Sequence, residues 1–157
     1  EWRQLDQGKL TIPQAIDRFC TRSPEKEEVI KKAFACWHVM FQPIMPNILL
    51  AERLKKQGYG IYILSNFIRE YFTQIRLKYD FFHQFDGVVI SGYTGFAKPE
   101  PEIFHYLLKR YQIHPDNCVF IDDHHPNVVG AESQGIHTIY YKTPTKLEID
   151  IRKLGLL

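Results

Sequence analysis

The chain has 157 residues, of which 45% are hydrophobic and 24% are charged, a composition typical of a globular protein rather than a disordered or fibrous one. Its 20 Lys and Arg residues nearly balance its 18 Asp and Glu residues, giving a formal charge of +2, which argues against a surface dedicated to nucleic acid. No apolar run approaches the ~20 residues that span a bilayer, so we expect no membrane-embedded segment.

The three cysteines are Cys20, Cys36 and Cys118, and no two of them form a Cys-x-x-Cys pair. This spacing argues against a disulfide framework and against a cysteine zinc site. We therefore expect a reducing compartment such as the cytoplasm.

Residues 1–42 are predicted to form a small helical unit. Thr11 and Gln14 have the spacing of a capping box, and Ser23-Pro24 has the pattern of a helix start. An apolar stripe that includes Trp37 and Phe41 follows, and prolines 43 and 46 end the second helix.

From residue 43 to residue 157 the pattern predicts helices alternating with short apolar strands. Asn47 is expected to cap a helix that runs to Gln57. The predicted strands are Ile61–Leu64, Gly87–Ile90, Cys118–Ile121 and Ile136–Tyr140, and the further predicted helices are 68–78, 126–134, one starting at Pro101 and one starting at Thr143. Such alternation predicts a three-layer, Rossmann-like α/β core with a parallel sheet.

Polar side chains are predicted at one rim of this sheet, because ligands bind beyond the carboxyl ends of parallel strands. Ser65-Asn66 follows the first predicted strand, Lys98 lies after the second, and Asp122-Asp123 follows the third. A hydroxyl, an amide, an ammonium and two carboxylates suit a metal-bound phosphate.

Taken singly, these features have plainer interpretations. A Ser-Asn pair is commonly a turn, and a lysine before proline is commonly a solvated loop residue. His124-His125 beside two aspartates could form a transition-metal site, although adjacent residues rarely both point at one ion. Trp37 and Phe41 are expected in the apolar core of the helical unit rather than on a substrate platform.

Together and in this order, the segments resemble the haloacid dehalogenase superfamily of phosphohydrolases. Within it they resemble the small-cap group, which includes sugar-phosphate phosphatases and the phosphatase domain of soluble epoxide hydrolases. The segments similar to the second, third and fourth family motifs are Ile63–Asn66, Lys98–Phe104 and Val119–Asp123, the last followed by Asn127–Ala131. The resemblance implies a partial helical cap at 1–42 and an α/β core at 43–157.

The resemblance also implies roles in phosphate binding. Ser65 and Asn66 would hold the phosphate of a small phosphorylated metabolite, and sugar phosphates are among the candidates. Lys98 would neutralise the nucleophile and the transferring phosphoryl group, so Ser65 and Lys98 are the expected catalytic residues.

For the metal, the resemblance implies Mg²⁺ as the cofactor. Asp123 would be its direct or nearest ligand, and Asp122 would support it or bind through water. Asn127, four residues after Asp123, would orient Lys98.

The chain departs from the family in its first motif. That motif is an Asp-x-Asp after the first strand, whose first aspartate attacks phosphorus and whose second is the general acid/base, and no Asp-x-Asp occurs here. Asp6-Gln7-Gly8 is the one early candidate, and no apolar strand precedes it. The resulting expectation is a truncated, inactive form of a Mg²⁺-dependent phosphatase that works through an aspartyl-phosphate. The alternatives are a non-catalytic module of the same fold and a haloacid dehalogenase.

In the family the absent first strand is central and lies between the strands predicted here at Ile61–Leu64 and Cys118–Ile121. We expect these two strands not to pair directly, since direct pairing would shift the helices on both faces. A strand from another chain or a retained N-terminal segment is expected between them, because unpaired buried backbone groups cost about 1–3 kcal/mol each. Asp122 and Asp123 alone are expected to hold Mg²⁺ weakly.

Overall fold

The computed structural model describes residues 1–157, apart from the side chain of His38. The helices are α1 Trp2–Asp6, α2 Ile12–Arg22, α3 Glu27–Cys36, α4 Met45–Lys56, α5 Arg69–Lys78, α6 Ser91–Thr94, α7 Pro101–Tyr111, α8 His125–Glu132 and α9 Pro144–Lys153. The strands are β1 Tyr62–Ser65, β2 Gly87–Ile90, β3 Val119–Asp122 and β4 His137–Tyr140. Short 3₁₀ turns lie at Pro24–Lys26, Trp37–Met40, Asp80–Gln84 and Pro115–Asn117. None of the described helices is both long enough and apolar enough to cross a membrane.

The four strands form two parallel pairs. β1 pairs with β2 from Tyr62 opposite Gly87, and β3 pairs with β4 from Val119 opposite His137. The four predicted strands are confirmed, but β1 and β3 each end one residue later than expected. Ser65 and Asp122 therefore close their strands instead of following them.

β1 and β3 do not pair with each other, as the sequence predicted. The Ile61 carbonyl accepts a hydrogen bond from the Asp86 N–H at 2.8 Å, on the β2 side. Since successive residues of a strand point their backbone groups to alternate sides, the Leu64 carbonyl points to the other edge. Among the described residues no strand pairs with that edge, and a donated strand there stays a prediction.

Helices on both faces hold the two sheets together. On one face, Phe104 of α7 packs in a cluster that includes Val89 of β2 and Phe120 of β3. On the other face, Leu50 of α4 shares a cluster with Ile61 and Val119. This packing confirms the three-layer arrangement and explains how the sheets stand side by side without a shared ladder.

The N-terminal helices pack onto the start of α5. Leu5 and Phe34 share an apolar cluster with Ile68 and Tyr71, and the Tyr71 hydroxyl donates to the Phe34 carbonyl at 2.6 Å. Trp37 packs against the same cluster, in line with its expected place in an apolar core. The division into units 1–42 and 43–157 stays a prediction, with this cluster spanning the proposed boundary.

Two predicted helix starts have different outcomes. The capping box of α2 is confirmed, since Thr11 and Gln14 exchange both side-chain-to-backbone hydrogen bonds. The predicted cap at Asn47 is wrong, because α4 already begins at Met45. Pro46 is accommodated in the first turn, where a backbone N–H would have no intrahelical partner in any case.

Candidate active site

Lys98 occupies the centre of the rim predicted to bind phosphate. It lies in the loop between α6 and α7, and its ammonium donates to the Leu64 carbonyl at 2.8 Å and to Asp122 Oδ2 at 2.6 Å. The side chains of Lys98 and Asp122 are 9% and 6% exposed. Lys98 thus joins the ends of β1 and β3 through a buried ion pair.

The Asp122 carboxylate is held by three donors. Besides Lys98, Oδ1 accepts from the His124 N–H at 2.8 Å and from Asn127 Nδ2 at 3.0 Å. Asn127 therefore acts on Lys98 through Asp122 and not by direct contact. These three donors use most of the hydrogen-bonding capacity of Asp122, so its main contact is the ion pair with Lys98. Its role as a metal ligand stays a prediction.

Asp123, next in the chain, is exposed. Its carboxylate makes no hydrogen bond or ion pair with the described residues. Within that part of the chain no group of three His, Cys, Asp or Glu side chains converges as a metal site. The residues present fit Mg²⁺ only as one carboxylate contact at Asp123, which suits an ion that keeps several waters and relies on substrate phosphate.

Asn66 is hydrogen-bonded to the backbone of Lys98, which lies in the loop of residues 95–100 between α6 and α7, the lysine loop. Its Nδ2 donates to the Lys98 carbonyl and its Oδ1 accepts from the Lys98 N–H, both at 2.8 Å. The side chain predicted to contact phosphate is thus engaged with the Lys98 backbone. Sequence reasoning missed this pairing, because the two residues are 32 positions apart.

Ser65 lies at the carboxyl end of β1 and is half-buried. The loop that follows is fixed by Ser91, which is fully buried and accepts from the Phe67 N–H through its Oγ at 2.9 Å. The Gly92 N–H donates to the Phe67 carbonyl at 3.3 Å. Ser91 was not singled out from the sequence, although its place directly after the strand Gly87–Ile90 was a signal for it.

Glu100 ties the lysine loop to α1. Its carboxylate accepts from Gln7 Nε2 at 3.0 Å and from the Ala97 N–H at 3.2 Å, and it pairs with Arg3. Burial alone would raise the pKa of Glu100, but these donors outweigh it and hold the pKa below its ordinary value. Nothing in the sequence pattern pointed to this contact between distant segments.

Gly130 of α8 lets the helix approach the lysine loop closely. A Cβ at this position would lie 2.8 Å from the Pro99 carbonyl oxygen. The close packing of α8 against Pro99 therefore leaves no room for a side chain at position 130, which explains the glycine in the predicted motif.

The side chains of the other predicted candidates, Asp6, His124 and His125, make no hydrogen bond to this network, in which His124 takes part only through its backbone N–H. Asp6 ends helix α1, so the expectation that no strand precedes it is confirmed, and burial raises the pKa of its carboxyl. His124 and His125 are exposed, and the His125 ring lies perpendicular to that of Tyr140 at a centroid distance of 5.5 Å.

Comparison with known proteins identifies the family to which the chain is similar. Residues 22–135 match the family described as haloacid dehalogenase-like hydrolases. Over 102 residues the chain is 34% identical to a glyceraldehyde 3-phosphate phosphatase of Pyrococcus furiosus, covering 63% of the chain and 42% of the relative. Over 153 residues it is 24% identical to a sesquiterpene phosphatase of Aspergillus oryzae, covering 98% and 78%. The chain thus matches less than half the length of the first relative and most of the second.

A solved structure of similar fold has bound ligands. It is a HAD family enzyme of Bacteroides thetaiotaomicron in complex with magnesium and inorganic phosphate, with a TM-score of 0.67 and 26% identity. The match covers 88% of this chain and 71% of the other.

Proposed function

The chain belongs to the haloacid dehalogenase-like hydrolases, and on that premise we propose that it carries the phosphate-binding part of a Mg²⁺-dependent phosphatase of small phosphate monoesters. The full reaction would proceed through an aspartyl-phosphate. The proposal also holds that these 157 residues alone do not turn over substrate, because they contain no Asp-x-Asp.

The observation that carries the proposal is the placement of Lys98. Its ammonium reaches the backbone of Leu64, the residue before Ser65, and the Asp122 carboxylate, the residue before Asp123. The ammonium is thus fixed at the two residues that directly precede Ser65 and Asp123, whose hydroxyl and carboxylate a phosphate and its counter-ion would require. Asn66 holds the backbone of Lys98 by two hydrogen bonds, and Asp122 pairs with its ammonium.

Each side chain then has a defined task. The Ser65 hydroxyl donates to a phosphate oxygen, and the Lys98 ammonium offsets the negative charge of the transferring group. When bound at Asp123, Mg²⁺ would supply Lewis-acid charge stabilisation to the phosphate oxygens. Asn127 holds Asp122, and so the lysine, during these events.

A binding module without catalysis is the second candidate. One specific observation favours it, namely that the nucleophilic aspartate of the family motif is not among the 157 residues. The two candidates share the phosphate site, and both predict no turnover by these 157 residues. They differ in whether the phosphate ester is hydrolysed once a segment with the Asp-x-Asp motif is supplied.

A reducing compartment such as the cytoplasm suits the proposed enzyme, because Cys20, Cys36 and Cys118 are all free. Among its partners we propose a small phosphorylated metabolite and no nucleic acid. We further propose that a strand from a second chain or from a retained N-terminal segment adds to the free edges of β1 and β3. Light scattering after size-exclusion chromatography would give the mass of a dimer for the first source and of a monomer plus segment for the second.

The turnover assay uses the purified chain, Mg²⁺ and 4-nitrophenyl phosphate. We expect no hydrolysis above an Asp123→Asn control. Hydrolysis that disappears in Asp123→Asn would mean that the site holds its own nucleophile, and the proposed division of labour would be wrong.

A further inference from the structure

An apolar cavity of about 190 Å³ opens beside the end of β1. Six of its lining residues are aromatic: Phe41, Phe67, Phe72, Tyr79, Phe81 and Phe82. An engineered apolar cavity of about 150 Å³ is known to bind benzene, so this volume holds one aromatic ring or a branched alkyl group of similar size.

The polar groups of the cavity are few and unevenly placed. The Tyr79 hydroxyl is used within the protein, 3.3 Å from the Phe41 carbonyl and 3.3 Å from Gln42 Oε1. Gln42 lies exposed at the rim. Ser65 is the polar residue on the wall formed by β1, and it directly follows Leu64, whose carbonyl binds Lys98.

The cavity therefore has an apolar body with two polar places. One is Ser65, next to the proposed phosphate site, and the other is the Tyr79–Gln42 pair, which is hydrogen-bonded within the protein. Sugar hydroxyls placed in that body would lose hydrogen bonds to water without finding partners, which is costly. An aryl or branched alkyl group would instead gain from burial against the aromatic walls.

We infer that this cavity binds the apolar group of the substrate, so that the preferred phosphate monoesters are aryl or branched alkyl phosphates and not sugar phosphates. The inference rests on the proposed function for the position of the phosphate at Ser65 and Lys98. It replaces the broader substrate range that the sequence allowed with one chemical class.

The test measures binding to the 157-residue chain by calorimetry, since no turnover is expected. The ligands are phenyl phosphate, glucose 6-phosphate, inorganic phosphate and phenol, each with Mg²⁺ present. We expect phenyl phosphate to bind at least about tenfold more tightly than glucose 6-phosphate, since apolar pocket contacts commonly discriminate by that factor. Equal binding, or a preference for glucose 6-phosphate, would overturn the inference.

Two variants locate the effect in the cavity. Gln42→Trp places an indole at the rim, and Ile75→Phe enlarges a side chain in the wall. Their matched controls are Gln74→Trp and Leu77→Phe, which change exposed positions of α5. At least one cavity variant that keeps the wild-type circular dichroism spectrum should abolish the preference, and both controls should retain it; a preference that survives both cavity changes would contradict the inference.

The remaining ligands test the phosphate site and the apolar cavity separately. Inorganic phosphate reports on the proposed function alone, because it does not reach the cavity. If inorganic phosphate fails to bind while phenol binds and is blocked by Gln42→Trp, the phosphate site is wrong and the cavity assignment stands. If inorganic phosphate binds and phenyl phosphate gains nothing over it, the cavity assignment is wrong and the phosphate site stands.

Discussion

The Asn66 carboxamide and the backbone of Lys98 form a two-point hydrogen-bonded pair, with both donor–acceptor distances at 2.8 Å. Asn66 thereby satisfies the N–H and the carbonyl of the residue whose ammonium joins the two sheets. The position of the lysine is set from both ends, by Asn66 at the backbone and by Asp122 at the ammonium.

Replacing Asn66 should therefore destabilise the chain. Asn66→Ala leaves the partly buried N–H and carbonyl of Lys98 without their partners, which we expect to cost about 1–3 kcal/mol of unfolding free energy. Urea denaturation measures the difference. Asn117→Ala, at an exposed turn, is the control and should stay within about 0.5 kcal/mol. Equal effects of the two substitutions would show that the pair contributes nothing to stability.

The Lys98–Asp122 ion pair should show strong coupling. Removing one partner of a buried pair leaves an uncompensated charge and costs about 3–5 kcal/mol, so Lys98→Met and Asp122→Asn should each be costly. The double variant should cost clearly less than the sum of the two singles. A double-mutant cycle by urea denaturation gives the coupling, with the exposed pair Lys31–Glu27 as a weakly coupled control. Additive single effects at Lys98 and Asp122 would contradict the geometry.

Gly130→Ala should reverse the usual sign of a glycine replacement in a helix. Such a change ordinarily gains about 0.5–1 kcal/mol through lower unfolded-state entropy. Here the new Cβ would meet the Pro99 carbonyl oxygen at 2.8 Å, so we expect a net loss of about 1–3 kcal/mol from the forced displacement. Thermal unfolding checks the direction, and a raised Tm would mean that α8 and the lysine loop separate freely.

Glu100 should give the fold a pH dependence in the acid range. Its pKa is below the ordinary value in the folded chain, so its contribution is present above the unfolded pKa, about 4.3, and is lost as the pH falls through the folded pKa. Wild type should thus be more stable than Glu100→Gln at neutral pH, and the difference should shrink on acidification. Unfolding free energies at several pH values test this.

The control for that series is Glu25→Gln, at a side chain that is 67% exposed. Its difference from wild type should stay small across the same pH range. A difference for Glu100→Gln that is constant with pH would rule out a contribution from its ionisation.

The sequence predicted strand positions well because short apolar runs between turn residues leave few alternatives. It predicted that Ser65, Lys98 and Asp122 share one rim because parallel strands end on the same edge. It could not predict that Asn66 serves the Lys98 backbone or that Glu100 meets Arg3 and Gln7, since those contacts depend on how distant segments pack. The false helix start at Asn47 arose because Pro46 was read as a terminator, whereas proline is also favourable in a first turn.

The most direct test of the account is the binding of inorganic phosphate to the purified chain with Mg²⁺, followed by ³¹P NMR. The account predicts saturable binding that is lost in Ser65→Ala and in Lys98→Met, and that is retained in Lys32→Met, a control at an exposed position of α3. Circular dichroism of each variant confirms that it is folded. Wild-type binding that survives in both folded site variants, or no saturable binding at all, would contradict the phosphate site at the end of β1.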